Sequence, residues 1–264
     1  MSSFRIGAAL LLLLVLMALF APVIAPGDPL AISGQAMLRP FESEAHLLGT
    51  DRLGRDVFAG LVHGTRTTLL VAFFSAAAAL IIGSIVGTIS GFLGGITDIV
   101  LMRITEAFQT VPGFLLALAT ISVTGPSAPT LVLAISLGNW TQAARVTRAE
   151  VLSLRERDFV AAARTLGMRP FEIAFREILP NAFGPTASLA AISVATAILI
   201  EAALSFLGFG DPNRVTWGSM IAEGRTVLRA APYLSIVPGI ALVVTVLSVH
   251  LIGRGLSRTE RLQP

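Results

Sequence analysis

From Phe4 to Ala25 the chain reads FRIGAALLLLLVLMALFAPVIA, long and apolar enough to cross a lipid bilayer as one helix. A bilayer core about 30 Å thick requires roughly 20 apolar residues per spanning helix. Five further stretches meet or approach that requirement: Leu69–Phe92, Asp98–Thr124, Thr130–Val146, Phe183–Phe206 and Tyr233–Ile252. Arg103, Glu106 and Pro112 interrupt the Asp98–Thr124 stretch. Of the 264 residues, 54% are hydrophobic and 13% are charged, whereas a soluble domain carries about 25% charged residues. The expectation is an all-α polytopic membrane protein with six transmembrane helices. It forms one domain over residues 1–264, without internal repeats. Val23, Ile24 and Ala25 resemble a signal-peptide cleavage site, but Pro26 would follow the cut directly. The segment is therefore read as an uncleaved first helix.

Composition removes several functions. There is no cysteine, and all 19 basic residues are arginine. Disulfides, thiol chemistry and thiolate metal sites are excluded, as are a Walker A phosphate loop and a lysine base. The isoelectric point is about 10.8, yet the net charge is only +3. That is a weak basis for nucleic-acid binding. His46, His63 and His250 are scattered without ligand spacing, so no metal site is expected.

Arginine distribution gives an orientation. With the N-terminus inside, the inner face holds eleven arginines: Arg5, the seven from Arg145 to Arg176, and Arg254, Arg258 and Arg261. The outer face holds seven. Both termini are then cytoplasmic. In the second span, Gly83, Gly87 and Gly91 recur every four residues, a pattern that lets helix backbones approach closely. Packing within the chain is the favoured role, over a subunit interface. Arg103 and Glu106 can pair at i and i+3 and mark the cytoplasmic start of the third span.

Between the fourth and fifth spans lies a charged island, DFVAAARTLGMRPFEIAFREILPN, from Asp158 to Asn181. Phe159, Ala163 and Leu166 share a helical face, Asp158 suits the positive helix end, and Gly167 is a left-handed stop. Pro170 restarts a helix in which Phe171, Ala174, Phe175 and Ile178 line one side, and Pro180 is expected to end it. Two short amphipathic helices joined by a tight turn could rest in the lipid interface, link two spans, or present a knob to a soluble partner. The pattern alone leaves these open.

The run AAARTLG followed by ILPN resembles the cytoplasmic EAA loop of ABC importer permeases, through which a membrane subunit docks on its ATPase. Ala162, Ala163, Gly167, Leu179 and Pro180 match it, while Ala161 stands where glutamate is usual. LLGTDRLGRDVFAGLVHGTRTTLLV (Leu47–Val71), VLSLRERDFVAAARTLG and EAALSFLGFG (Glu201–Gly210) extend the resemblance to the dipeptide/oligopeptide/nickel permease family, in its second, shorter subunit. The resemblance implies a type I importer fold with an outer loop at 26–64 and a coupling loop at 153–181. It also implies half of a translocation pathway for peptides or a related small solute, in a bacterial inner membrane. Partners would be a second homologous permease, two ATPase subunits holding ATP and Mg, and an extracytoplasmic substrate-binding protein. The chain itself would be no enzyme and bind no cofactor.

Other features are weighed beside this. GFGD, Gly208–Asp211, matches an intramembrane aspartyl protease signature, which needs two carboxylates at one site; Asp98 is the candidate partner for Asp211. Glu201 is an ionisable group within a span. It either lines or braces the translocation path, or reaches the headgroups from its helix end. The charges of TDRLGRD, residues 50–56, form either an ion-paired surface facing a docked binding protein or a solvated loop. A self-contained ion-coupled secondary transporter is the alternative function, although such proteins often show two similar halves.

Overall fold

The computed structural model describes residues 2–260, with side chains described for 3–182 and 189–255. Among these the regular structure is helical, with isolated bridges such as Ile32–Arg55 and Thr50–Asp56 confined to the segment before residue 57. The first apolar stretch forms α1 (Ser2–Leu19) and a short α2 (Ala21–Ile24), with Pro22 in the first turn of α2. Proline suits that position because its missing N–H would be unsatisfied there anyway.

Helix α3 runs from Val57 to Leu93, starting well before the expected span at Leu69 and inside the expected 26–64 loop. Asp56 explains the early start, because its carboxylate accepts hydrogen bonds from the Phe58 and Ala59 amides at 2.7 and 3.2 Å. That satisfies orphan donors of the first turn. At about 1.5 Å per residue the helix is roughly 55 Å long, nearly twice the bilayer core. A span needs only part of that length, and the first turns pack against the region around α11. There Val57 packs with Ala231 and Leu234, and Trp217 covers Gly64.

The expected third span is two helices, α4 (Gly95–Thr110) and α5 (Gly113–Thr124), bent by 83° at the break. Pro112 accounts for the break: it lacks an N–H and pushes the preceding Val111 into extended backbone. Helix α6 (Ala128–Leu154) opens on a Ser127–Thr130 capping box and continues past Val146. After it come α7 (Asp158–Thr165), α8 (Pro170–Glu172), a π-helical turn (Ile173–Ile178) and α9 (Leu179–Asn181). Then follow α10 (Phe183–Phe206), α11 (Trp217–Arg225) and α12 (Tyr233–Glu260).

Thus helices occupy all six expected stretches. Among the described residues three are long and apolar enough to cross a membrane unaided: α3, Leu189–Phe206 of α10 and Tyr233–Gly255 of α12. The bent α4–α5 pair makes a fourth. Helix α1 is shorter, and α6 carries Arg145, Arg148 and Glu150 in its C-terminal half.

The main core joins Val71 and Ala72 of α3, Ile121 of α5, Leu131 and Ile135 of α6, and Ile198 and Leu204 of α10. The glycine pattern serves packing within the chain. A Cβ on Gly83 would meet the Trp140 carbonyl, one on Gly87 the Ala144 carbonyl, and one on Gly91 the Arg148 carbonyl. Helices α3 and α6 therefore touch backbone to backbone along three turns.

Candidate functional site

The island between α6 and α10 is a small folded unit. Helix α7 buries Val160 and Ala163 against Val151, Ile173 and Ile178. It ends where Gly167 takes φ +78°. The Met168 amide donates to the Ala163 carbonyl at 3.2 Å and the Gly167 amide to the Arg164 carbonyl at 3.0 Å. This pair of bonds closes a Schellman turn, and its left-handed residue favours glycine because it has no Cβ. Pro170 then begins α8, with Glu172 paired to Arg176 at 3.0 Å.

The loop departs from the expected amphipathic pattern in three places. Leu166 does not join Phe159 and Ala163 on the buried face; it is 82% exposed, because it caps α7 and the Schellman turn swings it outward. Phe171 is 61% exposed while Ile173, Ala174 and Ile178 are buried. The π turn adds a residue to the helical turn, so the buried face rotates away from Phe171. Pro180 does not end the helix, which continues to Asn181. The widened π turn just before it accommodates a residue with no N–H.

The candidate residues of this loop thus divide. Ala163 sits in the core, Leu179 is half-buried, and Ala162, Gly167 and Pro180 lie on the surface. Ala161 is also exposed. Leu166 and Phe171 are exposed on either side of the turn, as are Arg164, Arg169 and Arg176. Phe171 stacks on Phe175, with ring centroids 6.4 Å apart and planes 7° from parallel.

Glu201 of α10 is completely buried. Its Oε1 accepts from the Ser205 hydroxyl at 2.6 Å, and Thr68 of α3 and Thr216 before α11 flank the carboxylate. Thr68 in turn accepts from the Trp217 amide at 3.4 Å. The carboxylate is thereby enclosed where α3, α10 and α11 meet.

The TDRLGRD segment packs onto the region around α11. Arg52 donates to Thr226 at 2.6 Å, and Arg55 lies 3.7 Å from Glu223. Asp51, Arg55, Asp211, Arg214 and Glu223 border a cavity of about 230 Å³. Burial pushes the Glu223 carboxyl above its ordinary range, and the Asp51 charge adds to this against the opposing Arg55 and Arg52. His46 pairs with Asp56 at 3.1 Å, and His63 contacts the Ala25 carbonyl at 2.9 Å. Among the described residues no three metal-ligating side chains cluster.

Asp98 and Asp211 do not form a dyad. Arg148 donates to both oxygens of Asp98 at 2.6 Å. Asp211 accepts from the Ala128 amide at 3.0 Å and lies 3.7 Å from Arg214. The Asp98–Arg148 pair went unread in the sequence, because the partners stand fifty residues apart. Arg103 and Glu106 do pair, at 2.9 Å, on the exposed side of α4.

A bundle of apolar helices carrying a compact helix–turn–helix between two of them has the architecture of a transporter's membrane subunit. The chain belongs to the family of binding-protein-dependent transport system inner membrane components, which it matches over residues 79–261. It is 36% identical over 252 residues to the dipeptide transport system permease protein DppC of Alkalihalophilus pseudofirmus, covering 95% of this chain and 83% of that one. It is 34% identical over 252 residues to the oligopeptide transport system permease protein OppC of Bacillus subtilis, covering 95% and 82%. It is 34% identical over 246 residues to the glutathione transport system permease protein GsiD of Pectobacterium atrosepticum, covering 93% and 82%.

Among solved structures, inward-facing forms of the MetNI methionine ABC transporter superpose with a TM-score of 0.60 at 20% identity. The match covers 75% of this chain and 95% of that one. That likeness defines the fold, a type I ABC importer permease. The protein is therefore a multi-pass permease subunit of an ABC importer, with ATP hydrolysed on separate ATPase subunits. This removes the ion-coupled secondary transporter.

Proposed function

We propose that this chain forms half of a heterodimeric pathway for peptides or a closely related small solute in a bacterial inner membrane. Relatives of near-equal identity are named for dipeptide, oligopeptide and glutathione transport; their common chemistry is the peptide backbone. In this reading residues 1–264 form a single permease domain. The termini and the coupling loop 153–181 face the cytoplasm, as the arginine bias favours. The segment 26–64 faces a delivering substrate-binding protein. A homologous permease completes the pathway, and two ATPase subunits carry ATP and Mg.

The observation that carries the proposal is the folded coupling unit, with Ala163 in its core and Leu166 and Phe171 exposed on its surface. A short helix pair braced from beneath transmits displacement where a slack linker would absorb it. Ala162, Gly167, Leu179 and Pro180 shape its surface and its joints. ATP-driven closure of the ATPases would shift the permease between two states through differential affinity for them. Glu201 would act as a brace, locking α11 to the spans rather than touching solute.

The test is co-purification of the tagged protein, expressed with its partners in mild detergent, beside Gly167→Pro. Proline cannot adopt φ +78°, so the Schellman turn must open. Wild-type protein should retain an ATPase and a second permease, and the variant should lose the ATPase. Wild-type protein isolated without any ATPase defeats the proposal.

A further inference from the structure

We infer that the Asp98–Arg148 pair is the link by which movement of the coupling loop reaches the bent α4–α5 segment; this rests on the ATPase-coupling role proposed for that loop. Little of α4 is buried. Of its sixteen residues only Thr105 is buried, while Ile96, Ile99 and Val100 are at least half exposed. Its N-terminal joint is a pair of glycines, Gly94 and Gly95, with φ +64° and +55°. A side chain added at Gly95 would meet nothing within 4 Å and one at Gly94 only the end of the Arg155 side chain, so the joint itself is loosely packed. Its other end is the 83° break before α5. Helix α4 is thus a rod between two joints.

A side chain in its first turn fastens the near end of that rod; toward the far end Phe108 packs edge-on against Trp140 of α6, and Gln109 accepts from Arg145 at 3.2 Å. Asp98 Oδ1 accepts from Arg148 Nε and Oδ2 from Arg148 Nη2, each at 2.6 Å, the planar fork geometry that only arginine supplies. The Ser90 hydroxyl, fully buried near the end of α3, donates to Oδ1 as well. Both ionic side chains are shielded, Asp98 at 18% exposed and Arg148 at 32%, so solvent weakens the pair less than a surface one. Two turns later, at the C-cap of α6, Arg155 donates to the Gly91 carbonyl at 3.0 Å. These bonds gather the ends of α3 and α6 and the start of α4 into one knot.

The knot stands directly on the coupling unit. Arg148 lies one turn before Val151, and Val151 is a core residue of the unit with Val160, Ala163, Ile173 and Ile178. The glycine seam makes α3 and α6 a single body here, since a Cβ at Gly91 would lie 3.0 Å from the Arg148 carbonyl. A displaced coupling loop must therefore carry Arg148 with it. Through the fork Arg148 turns α4 about its glycine joint, and the far arm, α5, follows. Asp98 and Arg148 are positioning residues: they touch no solute and no nucleotide.

The chain has no cysteine, so spin labels go only where cysteines are placed. One label pair joins Thr165 of α7 to Ile240 of α12; another joins Val123 of α5 to Ile240. Both distances are measured in the complete complex, nucleotide-free and trapped with ATP and vanadate. In the parent complex both should change on trapping. In Asp98→Asn and Arg148→Gln the α7 distance should still change while the α5 change is lost, and Asp98→Glu should restore it. Arg148→Lys, which keeps the charge but not the fork, should retain only part of the α5 change; it also serves if a neutral variant does not assemble. Persistence of the α5 change in the neutral variants overturns the inference, as does an α5 distance blind to nucleotide in the parent. Loss of both changes together would assign the pair a merely structural role and overturn it too. A parent complex that retains no ATPase would sink the coupling role itself, and this inference with it.

Discussion

Along the α3–α6 seam three glycines let two backbones meet, whereas α4, with one buried residue, meets the same α6 through side chains: the forked ion pair, an edge-on Phe108–Trp140 contact and an Arg145–Gln109 hydrogen bond. The first contact is made of surfaces that fit only one way. Packing of that kind tolerates no added volume and no sliding. The second is made of a pivot and a tether, and its glycine joint and proline break allow angles to change at little cost. The difference separates the part of the permease that transmits force from the part that responds to it. A transporter needs both, since a uniformly rigid bundle could not switch and a uniformly loose one could not be driven.

The sharpest way to break this contrast is to overfill the seam. Gly87→Val places a branched side chain against the Ala144 carbonyl and Thr147, and backbone there cannot step aside. The expected loss is about 3 kcal/mol, at the upper end for overpacking. It should be seen as a large drop in melting temperature and in recovered monodisperse protein. Ile99→Ala, on the exposed side of α4, should change stability by no more than about 0.5 kcal/mol. Equal losses at the two sites would erase the distinction between seam and rod.

A smaller effect is expected at the second locked junction, where Glu201 joins α3, α10 and α11. Glu201→Ala leaves the Ser205 hydroxyl without its acceptor and opens a hole between Thr68 and Thr216. Together these should cost about 2 kcal/mol. Glu201→Gln keeps the shape and an acceptor for Ser205, and should cost less. Because Trp217 is fully buried at this junction, its fluorescence in a Trp140→Phe background reports whether α11 has come loose. An alanine variant that melts like the glutamine variant would show that the carboxylate does not brace α11.

Much of this contrast was legible in the sequence, and the illegible part has a physical cause. The apolar stretches, the glycine repeat and the Gly167–Pro170 turn are local signals. Each depends on residues within a few positions, so composition and spacing reveal it. The exposed Leu166 and Phe171 misled because a 3.6-residue period was assumed through a stretch where a Schellman turn and a π turn both change the rotation. The early start of α3 turned on a single capping carboxylate, Asp56. The Asp98–Arg148 fork was invisible for a different reason: it joins two helices distant in sequence, and neither residue type nor spacing names the partner. Glu201 was singled out by its cost in a span, but only packing revealed that it is enclosed.

Gly167→Ala sharpens the comparison at the coupling unit. The added Cβ meets nothing within 4 Å, so the penalty is conformational alone. A left-handed non-glycine residue costs about 1–2 kcal/mol, and roughly tenfold weaker retention of the ATPase is the expected outcome. Titrating detergent-solubilised permease with purified ATPase measures it. Unchanged affinity would mean that the Schellman turn does not set the docking geometry.

The smallest expected effect lies on the face of the molecule opposed to the coupling unit in the proposed topology. Glu223 is held above the ordinary glutamate range by burial and by Asp51, so the folded state keeps its proton to higher pH than the unfolded chain does. Below the ordinary range both states are protonated, and the group has no influence on the slope. Between the ordinary value and the raised one, the unfolded state binds fewer protons, and stability falls as pH rises. Beyond the raised value the loss is complete and constant. Arg55, 3.7 Å away, limits it but does not cancel it, and the carboxylate side chain is 48% exposed, so solvent keeps the effect modest. Glu223→Gln should therefore flatten a shallow decline in melting temperature across mildly acidic pH while leaving the nucleotide-driven α5 movement intact. If the slope is unchanged in the variant, the junction of TDRLGRD with α11 is not strained by this carboxylate, and the Arg52–Thr226 contact carries that junction instead.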